Sequence, residues 1–234
     1  MLWRDAELAR RGCNFRPWHV RRLRDQVARH LATPHRFVCI TDEPQWLFDI
    51  ETAPIDGSLV IDGKRTPRLQ LFRRDAAEIL GGTRLLHIAL GAEIVGPLDP
   101  LVDRDEPLVL LRNPGHGERR RFAPFSSAVM LLTAGCMPAA YEDFMPRAIF
   151  RTPWSSDACD WISTLAPCTV AAFGPEDGIH DEARLPRAWS STGARSTPPS
   201  GARLVTFATA RKHGDLEAAR AHPWLDLERT GAQL

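Results

Sequence analysis

Arg84-Leu85-Leu86-His87-Ile88-Ala89-Leu90-Gly91-Ala92-Glu93-Ile94-Val95-Gly96-Pro97-Leu98-Asp99-Pro100-Leu101 is the stretch whose reading decides the fold. Arg84 to Leu90 is an apolar run of strand length, and Gly91 breaks it. Ala92 to Val95 then makes a second short strand, and Pro97 and Pro100 close a turn.

Upstream of it, Arg68 to Leu80 reads as a helix with Leu69, Phe72, Ala76 and Ile79 on one face, stopped by Gly81-Gly82. Nearer the start, Val20, Leu23, Val27 and Leu31 recur at helical spacing among Arg21, Arg22, Arg24, Asp25 and Arg29. Pro17 is placed to open that helix and Thr33-Pro34 to end it. Arg36 to Asp42 is a continuously apolar strand with a polar end, as expected of a parallel strand buried on both faces. From Glu43 to Thr66 the breakers Pro44, Pro54, Gly57 and Gly63 give a loop, with one short strand at Leu59-Val60-Ile61.

Downstream, Pro107 to Leu111 and Phe125 to Leu132 read as strands, and Ala139 to Phe150 as a helix interrupted at Pro146. Ser155 to Ser163 begins another helix, with Ser155 or Ser156 available as N-cap. Thr169 to Phe173 and Arg203 to Thr209 are the last strands. The segment 174–201, rich in Pro, Ser and Gly, reads as an exposed loop. No repeat or second domain is visible, so one domain over residues 1–234 is expected.

The composition excludes several classes. At 234 residues, 44% hydrophobic and 25% charged, the chain has the balance of an ordinary globular protein with a substantial core. A formal net charge of +1 leaves no stripe of unbalanced positive charge for nucleic acid, and Arg119-Arg120-Arg121 is too short a run to change that. Cys13, Cys39, Cys136, Cys159 and Cys168 are odd in number and widely spaced, with neither a disulfide framework nor zinc spacing. Cys39 lies in an apolar run and reads as a small buried side chain. The N-terminus has no apolar signal core, and no apolar run reaches the length of a membrane span. A cytoplasmic protein is expected.

Several of these segments resemble a bacterial family of GT-A fold glycosyltransferases. Val20, Leu23, Val27, His30 and Leu31, followed by Arg36 to Asp42, match its first helix and second strand. Arg68-Leu69-Gln70-Leu71-Phe72 matches a Lys-Leu-x-Leu-Phe pattern whose Lys faces the nucleotide sugar. The stretch from Arg84 to Leu101 matches the segment that carries the family's metal-binding Asp-x-Asp, but Ala89 and Gly91 stand at the two aspartates and His87 at a structural Tyr. Phe125 to Met130 resembles Phe-Asn-Ser-Gly-Val-Met, a strand that presents polar groups to the donor sugar. Only Met1-Leu2-Trp3 matches a Trp-Gly strand that lines the family's nucleotide pocket, so the true start is expected either here in degraded form or upstream.

The resemblance implies an α/β fold of the GT-A type, a mostly parallel twisted sheet flanked by helices. It also implies a nucleotide-sugar such as a UDP-sugar as ligand, with Thr41, Asp42, Arg68, Ser126, Ser127 and Lys212 as the residues that would meet it. The family's Gly-Asp-Gln-x-x-Ile falls on Asp157, Ala158, Cys159 and Ile162, which displaces the carboxylate by one residue; Asp157 and Asp160 are the catalytic candidates. A late His of the metal site falls on Ala208. Ala89, Gly91 and Ala208 have no side-chain ligand atom, so the divalent-metal site is expected to be lost and no cofactor is expected. Asp99 and Asp103 read as turn residues rather than replacement ligands.

Two functions are consistent with this pattern. One is sugar transfer without the usual metal, with Arg68, Arg211, Lys212 and His213 set against the diphosphate. The other is a non-catalytic relative that binds a nucleotide or a protein partner.

Overall fold

A computed structural model describes residues 16–61, 64–65, 67–113, 124–144, 158–167, 169–181 and 198–206. In chain order the elements are α1 Pro17–His30, β1 Val38–Thr41, β2 Glu51–Pro54, β3 Val60–Ile61, β4 Lys64–Arg65, a 3-10 segment Pro67–Phe72, α2 Ala76–Leu80 and β5 Arg84–Ile88. There follow β6 Ala92–Ile94, α3 Asp99–Val102, β7 Leu108–Arg112, β8 Phe125–Thr133, α4 Ala139–Glu142, α5 Ala158–Leu165, β9 Ala171–Phe173, β10 Ile179–Asp181 and β11 Leu204–Thr206. This is a mixed α/β architecture. Its described residues fall into two compact units: Val38–Ala89 with Arg104–Phe173, and the residues before Val38, from Leu90 to Asp103 and from Gly174 onward.

The first unit is built on the sheet order β5-β8-β7-β9. β8 runs antiparallel to β5 and to β7, and β7 runs parallel to β9. A separate pair, β1-β2, is parallel. The core gathers Leu69, Phe72, Leu110, Met130 and Leu132, with Ile40, Ala53 and Ile162 around them. Burying each of the large members contributes roughly 1.5–3 kcal/mol. Ser163 Oγ on α5 donates to the Phe125 carbonyl at 2.8 Å and accepts from the Phe125 N–H at 3.3 Å, fixing where β8 begins.

The second unit holds the sheet β10-β11-β6, with β10 parallel and β6 antiparallel to β11. α1 packs against β6. Pro17 opens the helix as its sequence position demands, and the Arg16 N–H donates to His19 Nδ1 at 2.9 Å across the first turn. The buried face of α1 carries His19, Arg22 and Gln26 beside Val20, Leu23 and Val27. After the helix, Asp99 accepts from the Ala32 N–H, the Thr33 N–H and the Thr33 hydroxyl at 3.0, 2.8 and 2.8 Å. Gly96 is required where it stands, because a Cβ there would lie 2.5 Å from the Ala202 carbonyl oxygen.

Four expectations change. The pairings among the described residues are mixed rather than mostly parallel, because unbroken apolar character marks any strand covered on both faces; β7 and much of β8 are such strands and pair antiparallel. Glu43 to Thr66 contains β2, whose exposed and buried residues did not give a two-residue alternation long enough to see. Residues 68–80 are not one helix: Leu69 to Phe72 are buried in succession, which suits a 3-10 segment threading the core. Arg73 then binds the Asp75 carboxylate at 2.8 and 2.7 Å across the break, and α2 ends at Gly81 with φ 65°. Ile79 is accordingly exposed, and Leu80 is buried in its place. Finally, 174–201 is not all loop, since β10 pairs with β11 and Ile179 is 2% exposed.

Candidate functional site

An irregularity in β8 shapes the candidate site of the first unit. Leu110 and Leu111 are consecutive in β7, yet they face Met130 and Ser126 of β8. Residues 127–129 therefore bulge out of that ladder, while on the other side Val129 stays paired with Ile88 and the Ala128 carbonyl accepts from the Ala89 N–H at 2.8 Å. A bulge bends its strand and re-aims a side chain. Here that side chain is Ser127, 1% exposed, whose Oγ accepts from Arg68 Nη1 at 2.5 Å. Arg68 is the half-buried member of the otherwise buried 3-10 segment, so the segment that fills the core also presents the guanidinium.

His87 of β5 completes the group. Its ring is half-buried, and its Nε2 is shut off from solvent with no hydrogen-bond partner. Burial, and after it the Arg68 charge, hold the ring well below the ordinary histidine value. A neutral imidazole with an unmatched nitrogen therefore lies in the field of a guanidinium.

Of the residues expected to meet a ligand, the structure brings Arg68 and Ser127 into direct contact. Thr41 and Ser126 spend an oxygen on local backbone: Thr41 Oγ1 accepts from the Glu43 N–H at 3.0 Å, and Ser126 Oγ from the Ala128 N–H at 3.2 Å. Asp42 lies exposed in the bend after β1. Asp160 lies on α5, with Ala158 and Cys159 opening that helix. Asp157 and Lys212 fall outside the described residues, as do Ala208, Arg211 and His213.

Ala89 and Gly91 offer no side-chain ligand atom. Among the described residues no group of three or more His, Cys, Asp or Glu is placed to hold a metal. Asp99 is committed to the backbone after α1, and its carboxyl is held down to about 2 by the Ala32 N–H first and then by Thr33.

The second unit has a polar centre that sequence reasoning missed. Glu93 of β6 is 3% exposed, and its Oε1 accepts from Arg22 Nη2 and Gln26 Nε2, both at 2.5 Å. Burial raises its carboxyl to about 7, against the Arg22 charge and the two hydrogen bonds. A cavity of about 10 Å³, room for roughly one water, adjoins it, lined by His19, Arg22, Gln26, Leu90 and Glu93 among others. The signal was legible: a charge inside the apolar run Ala92 to Val95 needs a partner, and Arg22 and Gln26 stand one helical turn apart on α1.

No protein-family model and no curated protein matches this chain. Solved structures do. A galactosyltransferase, LgtC, in complex with donor and acceptor sugar analogues superposes with a TM-score of 0.59 at 13% identity, covering 94% of this chain and 91% of the other. An active-site mutant of LgtC gives a TM-score of 0.55 at 14% identity, covering 94% and 92%. The glycosyltransferase GlyE of Streptococcus pneumoniae TIGR4 gives 0.50 at 12% identity, covering 90% of this chain and 55% of that one. At these identities the likeness is one of fold: the chain has the GT-A-like fold of these glycosyltransferases.

Proposed function

We propose that this chain is a glycosyltransferase-like protein that binds a nucleotide-sugar, a UDP-sugar by type, through Arg68 and its support on Ser127 instead of through a metal ion. The observation that carries the reading is the 2.5 Å contact between Arg68 and a serine that a strand bulge has turned toward it. A guanidinium offers planar, charge-assisted donors suited to phosphate oxygens. Positioned in advance, such donors favour the charge that gathers on the diphosphate as the glycosidic bond breaks. Ser127 keeps Arg68 in one orientation, and the low solvent access of Ser127 keeps that orientation from exchanging with water contacts.

Transfer would require a carboxylate near the reacting sugar, the role proposed for Asp157 or Asp160. The residues Ala89, Gly91, Ala158 and Cys159 at the family's chemical positions support slow or absent turnover. The second reading, a non-catalytic relative that serves a protein partner from the cytoplasm, rests on that same set of small side chains. Equilibrium binding separates the two. Arg68→Met is expected to weaken UDP-sugar binding at least tenfold, the loss of about one charge-assisted bond. Unchanged affinity in that variant, or no UDP-sugar binding by the native chain, would turn the reading toward the partner role.

A further inference from the structure

A strand bulge keeps its shape only if the strand is fixed on both sides of it, since a slip of one residue turns every side chain to the opposite face. The two sides of the β8 bulge are held unequally. After it, Val129 to Thr133 pair with β5, and Met130 to Leu132 pair with β7 as well. Before it, among the described residues, the ladder is Ser126 opposite Leu111 and Phe125 opposite Arg112, with the Asn113 N–H donating to the Pro124 carbonyl at 2.7 Å. We propose that Ser163 of α5 is a positioning residue for the Arg68–Ser127 pair: by holding the Phe125 backbone it fixes the register from which residues 127–129 bulge. The proposal rests on the nucleotide-sugar reading above for its use, and adds to it a residue that acts through the protein rather than on the ligand.

Ser163 supplies what the short ladder lacks. In an antiparallel ladder the N–H and C=O of one residue point to the same side. At Phe125 both meet Ser163 Oγ, the N–H donating to it at 3.3 Å and the carbonyl accepting from it at 2.8 Å. A hydroxyl can donate once and accept as well, so one side chain matches both groups. β5 pairs with β8 from Val129 onward, with one further bond from the Ala89 N–H to the Ala128 carbonyl. At Phe125, Ser163 does for the β8 backbone what a strand residue of β5 does further along. Both residues are buried, so water does not compete for these bonds. The helix is itself anchored: α5 packs against β8, and Ile162 shares the core with Phe125 and Met130.

The consequence reaches the guanidinium two residues on. Ser127 Oγ accepts from Arg68 Nη1 at 2.5 Å only while the bulge turns Ser127 toward it. Arg68 comes from the 3-10 segment on its own, so the contact depends on where β8 places Ser127. Asp160, one of the two catalytic candidates, lies three residues before Ser163 on α5, so one helix both carries that residue and holds the strand that orients Arg68.

The test uses the full chain with ¹⁵N-labelled arginine, in which the Arg68 guanidinium signal is the one lost in Arg68→Met. Ser163→Ala is expected to move that signal toward the position of a hydrated arginine, and Ser163→Thr, which keeps the hydroxyl, to bring it back. Ser163→Ala should also weaken UDP-sugar binding about fivefold. In the Arg68→Met background it should weaken binding no further, because both changes act on one guanidinium. Should Ser163→Ala not fold, Ser163→Cys, a weak donor of similar size, is expected to give the same changes at smaller amplitude. An unmoved Arg68 signal in the folded variants, or an equal loss of affinity with and without Arg68, would overturn the role of Ser163 and leave the nucleotide-sugar reading standing. If the native chain binds no UDP-sugar, that reading falls and the Arg68 signal alone decides for Ser163: moved and then restored supports the role, unmoved overturns it.

Discussion

His87 and Glu93 come from the same stretch of sequence, each is titratable with a polar atom closed to solvent, and they resolve that burial in opposite ways. Glu93 is matched: Arg22 and Gln26 reach its Oε1 at 2.5 Å from α1. His87 is not: its Nε2 has no hydrogen-bond partner. A matched buried charge is a structural device whose net contribution is small, though losing one partner is expensive. An unmatched buried nitrogen lowers stability in return for nothing structural. The difference teaches that burial within one stretch of chain is settled by the partners the fold brings to it from elsewhere.

The comparison can be broken from the Glu93 side first. Arg22→Met leaves that carboxyl without its cation and is expected to cost about 3 kcal/mol of unfolding free energy by urea denaturation. The double variant Arg22→Met/Glu93→Leu should recover most of it. A double variant as unstable as the single one would mean that the pair does more than satisfy itself.

The pH dependences should have opposite signs. Glu93 is raised to about 7 in the folded chain from an ordinary 4.5, so its contribution is full below pH 4.5 and is lost as pH rises through about 7. Glu93→Gln should therefore flatten a fall in stability on the order of 2–3 kcal/mol across that window. His87 is depressed well below 6.5, so the stability of its neutral form is present above pH 6.5 and is lost on acidification below it. His87→Phe should abolish that acid loss and, at pH 7, should stabilise the fold by about 1 kcal/mol, since it removes an unmatched acceptor. A loss of stability at pH 7 would show that the packing of the ring outweighs its unmatched nitrogen.

The smallest effect concerns a third polar cluster. Asp56 accepts from the Tyr141 hydroxyl, from the Ser58 N–H at 2.9 Å and hydroxyl at 2.7 Å, and from Arg73 at 2.8 Å. Partial burial alone would raise its carboxyl, but Tyr141, Ser58 and Arg73 together bring it down to about 2. Tyr141→Phe removes one of several bonds and should cost about 1 kcal/mol, with the acid-side loss of stability moved toward the ordinary aspartate range.

What was legible in the sequence follows from how local each signal is. The helix of Val20, Leu23 and Val27, the break at Gly91 and the strand at Leu108 to Leu111 depend on neighbours in the chain, and they stand where periodicity puts them. The antiparallel partner of His87 and the bulge that turns Ser127 depend on residues far along the chain, and no local pattern encodes them. Residues 68–80 misled because Leu69, Phe72 and Ala76 are all fully buried as a helical face would be, while the chain reaches that burial through a 3-10 segment and a break at Arg73 to Asp75. Arg68 and Ser127 were singled out by the resemblance rather than by spacing, and what the structure adds is their contact. The Glu93 centre had a local signal, a charge among apolar neighbours, that went unread.

The central claim is the proposal that Arg68 on Ser127 takes the place of a metal in binding a nucleotide-sugar, and calorimetry of a UDP-sugar with the native chain tests it most directly. One titration is made in EDTA and one with excess Mn²⁺. The account predicts the same affinity in both, because Arg68 on Ser127 supplies the charge. Binding that appears only with manganese, or strengthens tenfold or more with it, would contradict the account.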